Sequence, residues 1–171
     1  MLKIDNLSLV KSCVHDYHEM YGRGMPRPYT NTFMYTYQTK IKLHQTDAAG
    51  LLFFSHQFSI IHDAYEAMLE TIGFSFAELI RHQDFFLPIV HAEADYDKPL
   101  FVGDVIEIQV VVEKIGKHSF TFAYKLFNAK HELVGSARTV HVTMDKKTQK
   151  KIPLPPLMRE KIEMLYAQDQ S

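Results

Sequence analysis

The feature that most constrains the fold is a change of hydrophobic period along the chain. Apolar side chains between residues 58 and 72 recur at steps of three and four, which is typical of an amphipathic helix. From Phe86 onward the period changes to two, and strand-like runs follow at about 87–96, 104–114, 118–128 and 132–144. Their short connections predict antiparallel hairpins, because parallel pairs need a long crossover. Another strand is predicted before the helix, at residues 34–44.

This order predicts an α+β fold. A helix with one apolar stripe needs a surface to cover it, so we expect a long central helix wrapped by a curved antiparallel sheet of about five strands. Ser55 is expected to cap the helix and Gly73 to end it. Ser75 and Glu78 form a capping-box pattern for a short helix that reaches about His82. A last short helix is predicted from the apolar residues Met158, Ile162 and Leu165.

The chain divides into two parts in this interpretation. Residues 1–33 carry a short amphipathic pattern that is ended by glycines and prolines, and they predict an N-terminal helical appendage. Residues 34–171 form the main domain, whose length suits a single core.

Composition excludes several classes of protein. The formal net charge of −1 provides no basic footprint for a nucleic-acid partner, and no apolar run approaches the roughly 20 residues that span a bilayer. Cys13 is the single cysteine, so we expect no disulfide framework and a cytoplasmic location. His15, Asp16, His18 and Glu19 are of metal-ligand types, but without a His-Glu-x-x-His pattern we expect no metal.

The most informative segment for chemistry is residues 44–54. Asp47 follows a strand-like run and precedes the periodic helix, whose N-terminal N–H groups favour negative charge. An oxyanion on an acyl carbonyl is such a charge. The pattern therefore predicts an acyl-transfer site in which Asp47 is the carboxylate and the backbone N–H of Phe54 is an oxyanion donor. The apolar residues 51–54 are expected to keep water from Asp47, although Asp47 alone could also be a simple turn residue.

The sequence resembles the hot-dog-fold acyl-CoA thioesterases of the 4-hydroxybenzoyl-CoA thioesterase type. The resemblance rests on residues 46–54, 62–66, 87–92 and 99–104, and it runs from about residue 35 to residue 144. Within that family, the segments 62–66 and 87–92 are most similar to the branch that hydrolyses 1,4-dihydroxy-2-naphthoyl-CoA in phylloquinone and menaquinone synthesis. The family often has His or Tyr where this chain has Phe54, so only the backbone of Phe54 can contribute, with His56 as a partial substitute.

The resemblance implies active sites between two subunits, and hence a homodimer at least, with a homotetramer expected. The partner is an acyl-CoA substrate, and coenzyme A enters as part of that substrate, so no cofactor is expected. His62 matches a position that contacts a hydroxyl of the acyl ring in some relatives, whereas His91 is expected to be a hydrogen-bonded core histidine. The full set of candidate substrate-binding residues is Gly50, His56, His62, Asp63, Glu66 and His91. The candidates for the phosphates of coenzyme A are Lys114, Lys117, His118 and Arg138.

Two questions stay open from the sequence. Asp47 could act as the general base for water or as the direct nucleophile. The acyl group could also be a short or medium aliphatic chain or a 4-hydroxybenzoyl group, and the chain could be a non-catalytic module that binds acyl-CoA or acyl-carrier protein. The phenylalanines near the helix favour a flat acyl group.

Overall fold

One long helix and a five-stranded antiparallel sheet dominate residues 34–167, the part of the chain that the computed structural model describes. The strands are β1 (Tyr35–Lys40), β2 (Phe85–Phe86), β3 (Ile89–Tyr96), β4 (Val105–Ile115), β5 (Ser119–Asn128), β6 (Leu133–Val142) and β7 (Met144–Asp145). The helices are α1 (His56–Thr71), α2 (Phe76–His82) and α3 (Pro156–Ala167), with a 3-10 turn at Leu43–Gln45. The predicted appendage at residues 1–33 lies outside the described residues.

The main sheet has the strand order β1-β4-β5-β6-β3, and every neighbouring pair is antiparallel. This confirms the hairpins β4–β5 and β5–β6 and the existence of five strands. The first strand is shorter than predicted, because it ends at Lys40 and residues 43–45 form the 3-10 turn where the prediction continued the strand to residue 44. Strand β3 lies at one edge, where it pairs with β6 alone. Strands β2 and β7 form a separate two-stranded sheet that the sequence did not predict, because two residues are too short to show a period.

The core lies between α1 and the sheet. The stripe of α1 that is buried contains Ile60, Ile61, Ala64, Tyr65, Met68 and Leu69, and α1 packs on β1 and β4. One face of β4 and one face of β5 are buried, as their alternating patterns predict. The buried residues are Ile106, Ile108, Val110 and Val112 on β4 and Phe120, Phe122, Tyr124 and Leu126 on β5. Helix α3 buries the predicted residues Met158, Ile162 and Leu165, and it packs on β4.

The helix ends differ from the prediction in detail. Ser55 and Ser75 occupy the N-cap positions of α1 and α2, but neither side chain makes a cap hydrogen bond. The backbone of Ser55 is already helical (φ −70°, ψ −23°), whereas a capping residue needs an extended backbone. Gly73 follows α1 with φ +89°, which agrees with its predicted role as a helix stop. Within residues 34–167, no helix is long and apolar enough to cross a membrane.

Candidate active site at the start of helix α1

Asp47 lies at the tip of a tight turn that leads back toward α1. The N–H of Asp47 donates to the carbonyl of Leu51 at 2.8 Å, and the N–H of Gly50 donates to the carbonyl of Asp47 at 3.0 Å. Gly50 adopts φ +75°, a left-handed conformation that glycine accepts at low cost. The predicted positions of Asp47 and Gly50 therefore fall on one turn, with Gly50 shaping it.

The carboxylate of Asp47 has one engaged oxygen and one open oxygen. Its Oδ1 accepts hydrogen bonds from the N–H groups of Ala49 at 2.8 Å and Leu51 at 3.2 Å. Its Oδ2 has no partner among residues 34–167, and the side chain is exposed. Asp47 thus does act as a turn residue, and it also presents a carboxylate oxygen to the surface.

Two backbone N–H groups at the start of α1 are open. The N–H groups of His56, Gln57 and Phe58 donate to carbonyls three residues earlier, at 2.8, 3.4 and 3.2 Å. The N–H groups of Phe54 and Ser55 have no acceptor in the described part of the chain. We call these two groups the open amides. They provide the anion-binding potential of a helix N-terminus; Phe54 was predicted as a donor and Ser55 was not.

The end of edge strand β3 holds the start of α1 in place. The hydroxyl of Tyr96 donates to the carbonyl of Phe54 at 2.9 Å. The buried amide of Gln57 donates to the carbonyls of Asp95 at 3.2 Å and Ser136 at 3.0 Å. These long-range hydrogen bonds fix the open amides relative to the sheet. Sequence reasoning missed them, because nothing local links these residues.

A glycine in β6 allows Gln57 on α1 to lie close to the backbone of β3 and β6. A Cβ atom at Gly135 would lie 2.9 Å from the carbonyl oxygen of Asp95 and 3.1 Å from Oε1 of Gln57. A side chain there would force apart the start of α1 and the β3–β6 pair.

The expected shielding of Asp47 by residues 51–54 is wrong for the single chain. The side chain of Phe53 is 42% exposed and that of Phe54 is 60% exposed. The two rings contact each other, with centroids 4.7 Å apart. They lie at the surface beside the end of β3, where the described chain has no further strand to cover them.

A cavity of about 130 Å³ lies beside α1, and we call it the helix-side cavity. Its apolar walls are formed by Phe58, Ile61, Ile89 and Ala92. Its polar lining is formed by His62, Tyr124, Thr139 and His141. Phe58 begins about one helical turn after the open amides, so the cavity and the amides share the same end of α1.

Three of the polar lining residues form a buried hydrogen-bonded chain, which we call the hydroxyl–imidazole chain. The hydroxyls of Tyr124 and Thr139 are 3.0 Å apart, and the hydroxyl of Thr139 lies 2.8 Å from Nε2 of His141. The imidazole stacks on Phe120 at 5.0 Å between ring centroids. Burial, with a smaller contribution from the charge of His62, lowers the pKa of His141 to about 3. The imidazole is therefore neutral near pH 7.

Burial also raises the pKa of the Tyr124 hydroxyl, and this effect is larger than the lowering caused by its hydrogen bond with Thr139. The phenol therefore stays protonated near pH 7. Sequence reasoning missed all three members of the hydroxyl–imidazole chain, because they lie within strands whose alternation already explains their burial.

The structure separates the predicted substrate-binding residues on α1. His62 lines the helix-side cavity, is half-exposed, and lies 3.1 Å from the carboxylate of Glu66. Asp63 and Glu66 are exposed and do not line that cavity. His56 is the first residue of α1, with its ring 6.2 Å from that of Phe53.

His91 is not the core histidine that the sequence suggested. Its side chain is exposed on β3 and lies 3.3 Å from the carboxylate of Glu93. Strand β3 is an edge strand that nothing in the described chain covers, which explains the exposure. The buried histidine of the sheet is His141 instead.

The candidates for coenzyme A phosphates fall into two groups. Lys114, Lys117 and His118 lie at or near the turn between β4 and β5, and both lysines are exposed. Arg138 lies in β6, where its guanidinium contacts the carboxylate of Glu113 at 2.6 Å and that of Glu93 at 3.0 Å. Hydrogen bonds to these two carboxylates raise the pKa of Arg138. This pairing weighs against phosphate binding by Arg138.

Residues 34–167 hold no group of three or more His, Cys, Asp or Glu side chains that could bind a metal ion. The candidate ligands His15, Asp16, His18 and Glu19 lie outside this part of the chain.

Comparison with known proteins places the candidate site within a matched region. A family model described as "Thioesterase-like superfamily" matches residues 41–162. The 1,4-dihydroxy-2-naphthoyl-CoA hydrolase of Synechococcus elongatus is 35% identical over 127 residues, which cover 74% of this chain and 93% of that protein. The protein of the same name from Microcystis aeruginosa is 38% identical over 119 residues, with coverages of 70% and 86%.

A solved structure agrees with these sequence matches. The crystal structure of a 1,4-dihydroxy-2-naphthoyl-CoA thioesterase from Synechocystis superposes with a TM-score of 0.72 at 32% identity, and it covers 75% of this chain and 95% of its own.

Proposed function

The chain belongs to the thioesterase-like superfamily, and on that premise we propose that it is an acyl-CoA thioesterase that hydrolyses an aromatic acyl-CoA. The names of the relatives support 1,4-dihydroxy-2-naphthoyl-CoA as the substrate, with a place in phylloquinone or menaquinone biosynthesis. The hot-dog fold expected from the sequence is the fold of this superfamily. The single observation that carries the proposal is the turn that leaves one oxygen of Asp47 open in the segment that leads, seven residues later, into the open amides of α1.

Cleavage of a thioester needs no strong general acid, because its leaving group is a weakly basic thiolate. In the proposed reaction, the carbonyl oxygen of the substrate accepts hydrogen bonds from the open amides of Phe54 and Ser55. Such donors are most effective in the transition state, where the oxygen becomes an anion. The role of α1 is therefore to hold these donors in place before the reaction starts.

Asp47 then acts on the acyl carbon, either through a water molecule or directly. As general base, it takes a proton from a water molecule while the water oxygen bonds to the acyl carbon. The bond between carbon and sulfur breaks as the carbonyl re-forms, and the thiolate of coenzyme A takes up a proton. In a direct attack, an oxygen of Asp47 would instead bond to the acyl carbon, the bond between carbon and sulfur would break, and the thiolate of coenzyme A would leave and take up a proton. Water would then cleave the resulting acyl anhydride, which releases the free acid and restores the carboxylate of Asp47. Neither route needs a cofactor, since coenzyme A is part of the substrate.

A second copy of this chain would complete the site. Strand β3 presents one unpaired edge and exposed apolar side chains, including Val90 at 54% and Tyr96 at 50% exposure. Open apolar edges are pairing surfaces in sheet proteins. A copy seated on this edge would also cover Phe53 and Phe54 and remove water from Asp47. We therefore include a homodimer at least, and a homotetramer as its natural extension, in the proposal.

Several further assignments belong to the same proposal. His62 is the candidate for contact with the acyl group, since it lines the helix-side cavity. Lys114, Lys117 and His118 are the candidates for the phosphates of coenzyme A. A cytoplasmic location is supported by the presence of a single cysteine, Cys13.

The experiment that tests the function is a panel of acyl-CoA esters scored by kcat/KM. The panel contains 1,4-dihydroxy-2-naphthoyl-CoA, 4-hydroxybenzoyl-CoA and esters of short and medium aliphatic acids. The proposal expects the highest value for the naphthoyl ester. Tight binding of acyl-CoA without cleavage over hours would instead identify a non-catalytic binding module.

A further inference from the structure

The hydroxyl–imidazole chain contains one more hydrogen than its own contacts can use. Two hydroxyls and a neutral imidazole carry three polar hydrogens. The contacts between Tyr124 and Thr139 and between Thr139 and His141 use two of them. Whichever way these two hydrogen bonds point, one polar hydrogen remains that can be donated to a group outside the three side chains.

The position of that hydrogen follows from the free-energy cost of burying an unpaired N–H group. Nδ1 of His141 is buried and has no partner among the described residues. An unpaired N–H is rarer in protein interiors than an acceptor with an unused lone pair, so the imidazole carries its proton on Nε2 and donates it to Thr139. The remaining hydrogen then lies on a hydroxyl of Thr139 or Tyr124. Both residues line the helix-side cavity.

The rest of the helix-side cavity is apolar, as the carbon framework of an aromatic ring requires. Its walls are the apolar side chains of Phe58, Ile61, Ile89 and Ala92, and its polar groups come from the sheet and from His62. Phe58 lies four residues after Phe54, which is about 6 Å along a helix. An acyl group with its carbonyl at the open amides can therefore extend its ring toward this cavity.

We infer that the hydroxyl–imidazole chain selects a hydroxylated aromatic acyl group, through a hydrogen bond between a ring hydroxyl and the hydroxyl of Tyr124 or Thr139. The inference rests on the proposed function and adds to it the residues that determine the substrate class. A site built to hydrogen-bond a substrate hydroxyl rejects the analogue that lacks it, because buried polar groups are then left unpaired.

The test compares two esters that differ only in their hydroxyls, 1,4-dihydroxy-2-naphthoyl-CoA and 2-naphthoyl-CoA. The ratio of their kcat/KM values defines the hydroxyl preference of each variant. Tyr124→Phe and Thr139→Val each remove one hydroxyl with little change of shape. We expect the hydroxyl preference to fall by about tenfold or more in each variant, because kcat/KM should fall more for the dihydroxy ester than for 2-naphthoyl-CoA.

Two matched controls separate recognition from packing. Thr139→Ser keeps the hydroxyl and should keep the preference of the unmodified protein. Tyr65→Phe removes another buried hydroxyl, one that has no hydrogen-bond partner in the described chain and does not line the helix-side cavity. Its hydroxyl preference should also be unchanged.

An unchanged ratio in Tyr124→Phe and Thr139→Val, or an equal loss on both esters, overturns the inference. If the unmodified protein cleaves both esters equally well, only this inference fails; if it cleaves no acyl-CoA, the proposed function fails with it. Calorimetry with the free acids provides a readout that needs no variant. The unmodified protein should bind 1,4-dihydroxy-2-naphthoate about tenfold or more tightly than 2-naphthoate, and equal affinities contradict the inference.

Discussion

The hydroxyl of Tyr96 donates a hydrogen bond to the carbonyl oxygen of Phe54 at 2.9 Å, which ties the end of β3 to the start of α1. This carbonyl belongs to the same peptide group as the N–H of Ser55, one of the two open amides. A hydrogen bond to the carbonyl of a peptide polarises that peptide and strengthens its N–H as a donor. Tyr96 is therefore a positioning residue for the proposed oxyanion site.

Replacing Tyr96 with phenylalanine should slow the chemical step more than it weakens binding. One neutral hydrogen bond contributes about 0.5–1.5 kcal/mol, so we expect kcat to fall by about two- to tenfold with little change in KM. Steady-state kinetics on the naphthoyl ester measure this split. Tyr37→Phe, on β1 at the opposite edge of the sheet, is the matched control. A rise in KM at constant kcat would contradict the positioning role.

A charge on the open edge of β3 should separate the proposed subunits. In a symmetric pair, the same residue is present on both sides of the interface, so Val90→Asp introduces two like charges into an apolar contact. We expect the unmodified protein to sediment as a dimer or tetramer and the variant as a monomer with little activity. Ile80→Asp on α2 adds the same charge to an apolar side chain that is 69% exposed, and it should change neither property. A monomeric and active unmodified protein would refute the shared site.

The lysines near the β4–β5 turn should affect KM only for substrates that carry phosphates. Exposed ion pairs contribute about 0.2–1 kcal/mol each, so Lys114→Ala with Lys117→Ala should raise KM for the acyl-CoA by a few-fold. KM for the N-acetylcysteamine thioester of the same acid, which has no phosphates, should not change. Arg138→Ala, which removes a cation already paired with two carboxylates, should leave both KM values alone. A larger effect from Arg138→Ala would reverse this assignment.

The buried imidazole of His141 predicts a loss of stability in acid. Burial lowers the pKa of His141 from 6.5 to about 3, so between these values the unfolded chain binds a proton that the folded chain does not. The free energy of unfolding therefore falls as the pH falls through this window, by up to about 1.4 kcal/mol per pH unit from this group. Above pH 6.5, His141 does not contribute to the pH dependence of the free energy of unfolding.

Urea unfolding of His141→Phe at pH 7 and near pH 4.5 measures this contribution. The variant keeps a ring against Phe120 and should lose less stability between the two pH values than the unmodified protein does. His82→Gln removes an exposed histidine and should show the dependence of the unmodified protein. Identical pH dependence in all three proteins would show that His141 is not held neutral by the fold.

The elements of the fold were predictable because their patterns are local. The stripe from Phe58 to Ile72 and the alternation in β4 and β5 each follow from a single buried face, and the helix and strands lie where these patterns predict them. The sheet of β2 and β7 depends on tertiary contacts, which a local pattern does not contain. The cap pattern was wrong for both serines: the backbone of Ser55 is already helical, and Ser75 is extended but makes no cap hydrogen bond.

The candidate site was predictable only where its residues are close in sequence. Asp47, Gly50 and Phe54 share one segment, and the structure joins them through one turn and one helix start. Tyr96 reaches the start of α1 from β3, and Tyr124 and His141 reach the helix-side cavity from β5 and β6, so only the folded sheet brings these residues to α1. His91 was misjudged because the sequence does not reveal which strand lies at an edge.

The most direct test of the account is kcat of Asp47→Asn on the naphthoyl ester. Asparagine keeps the shape of the side chain and can still accept the turn hydrogen bonds from Ala49 and Leu51, but it is neither a base nor a nucleophile. We expect kcat to fall by about 10²–10⁴-fold with KM within a few-fold, and Asp84→Asn, at an exposed position before β2, to retain full activity. A kcat for Asp47→Asn equal to that of the unmodified protein would contradict the proposed mechanism.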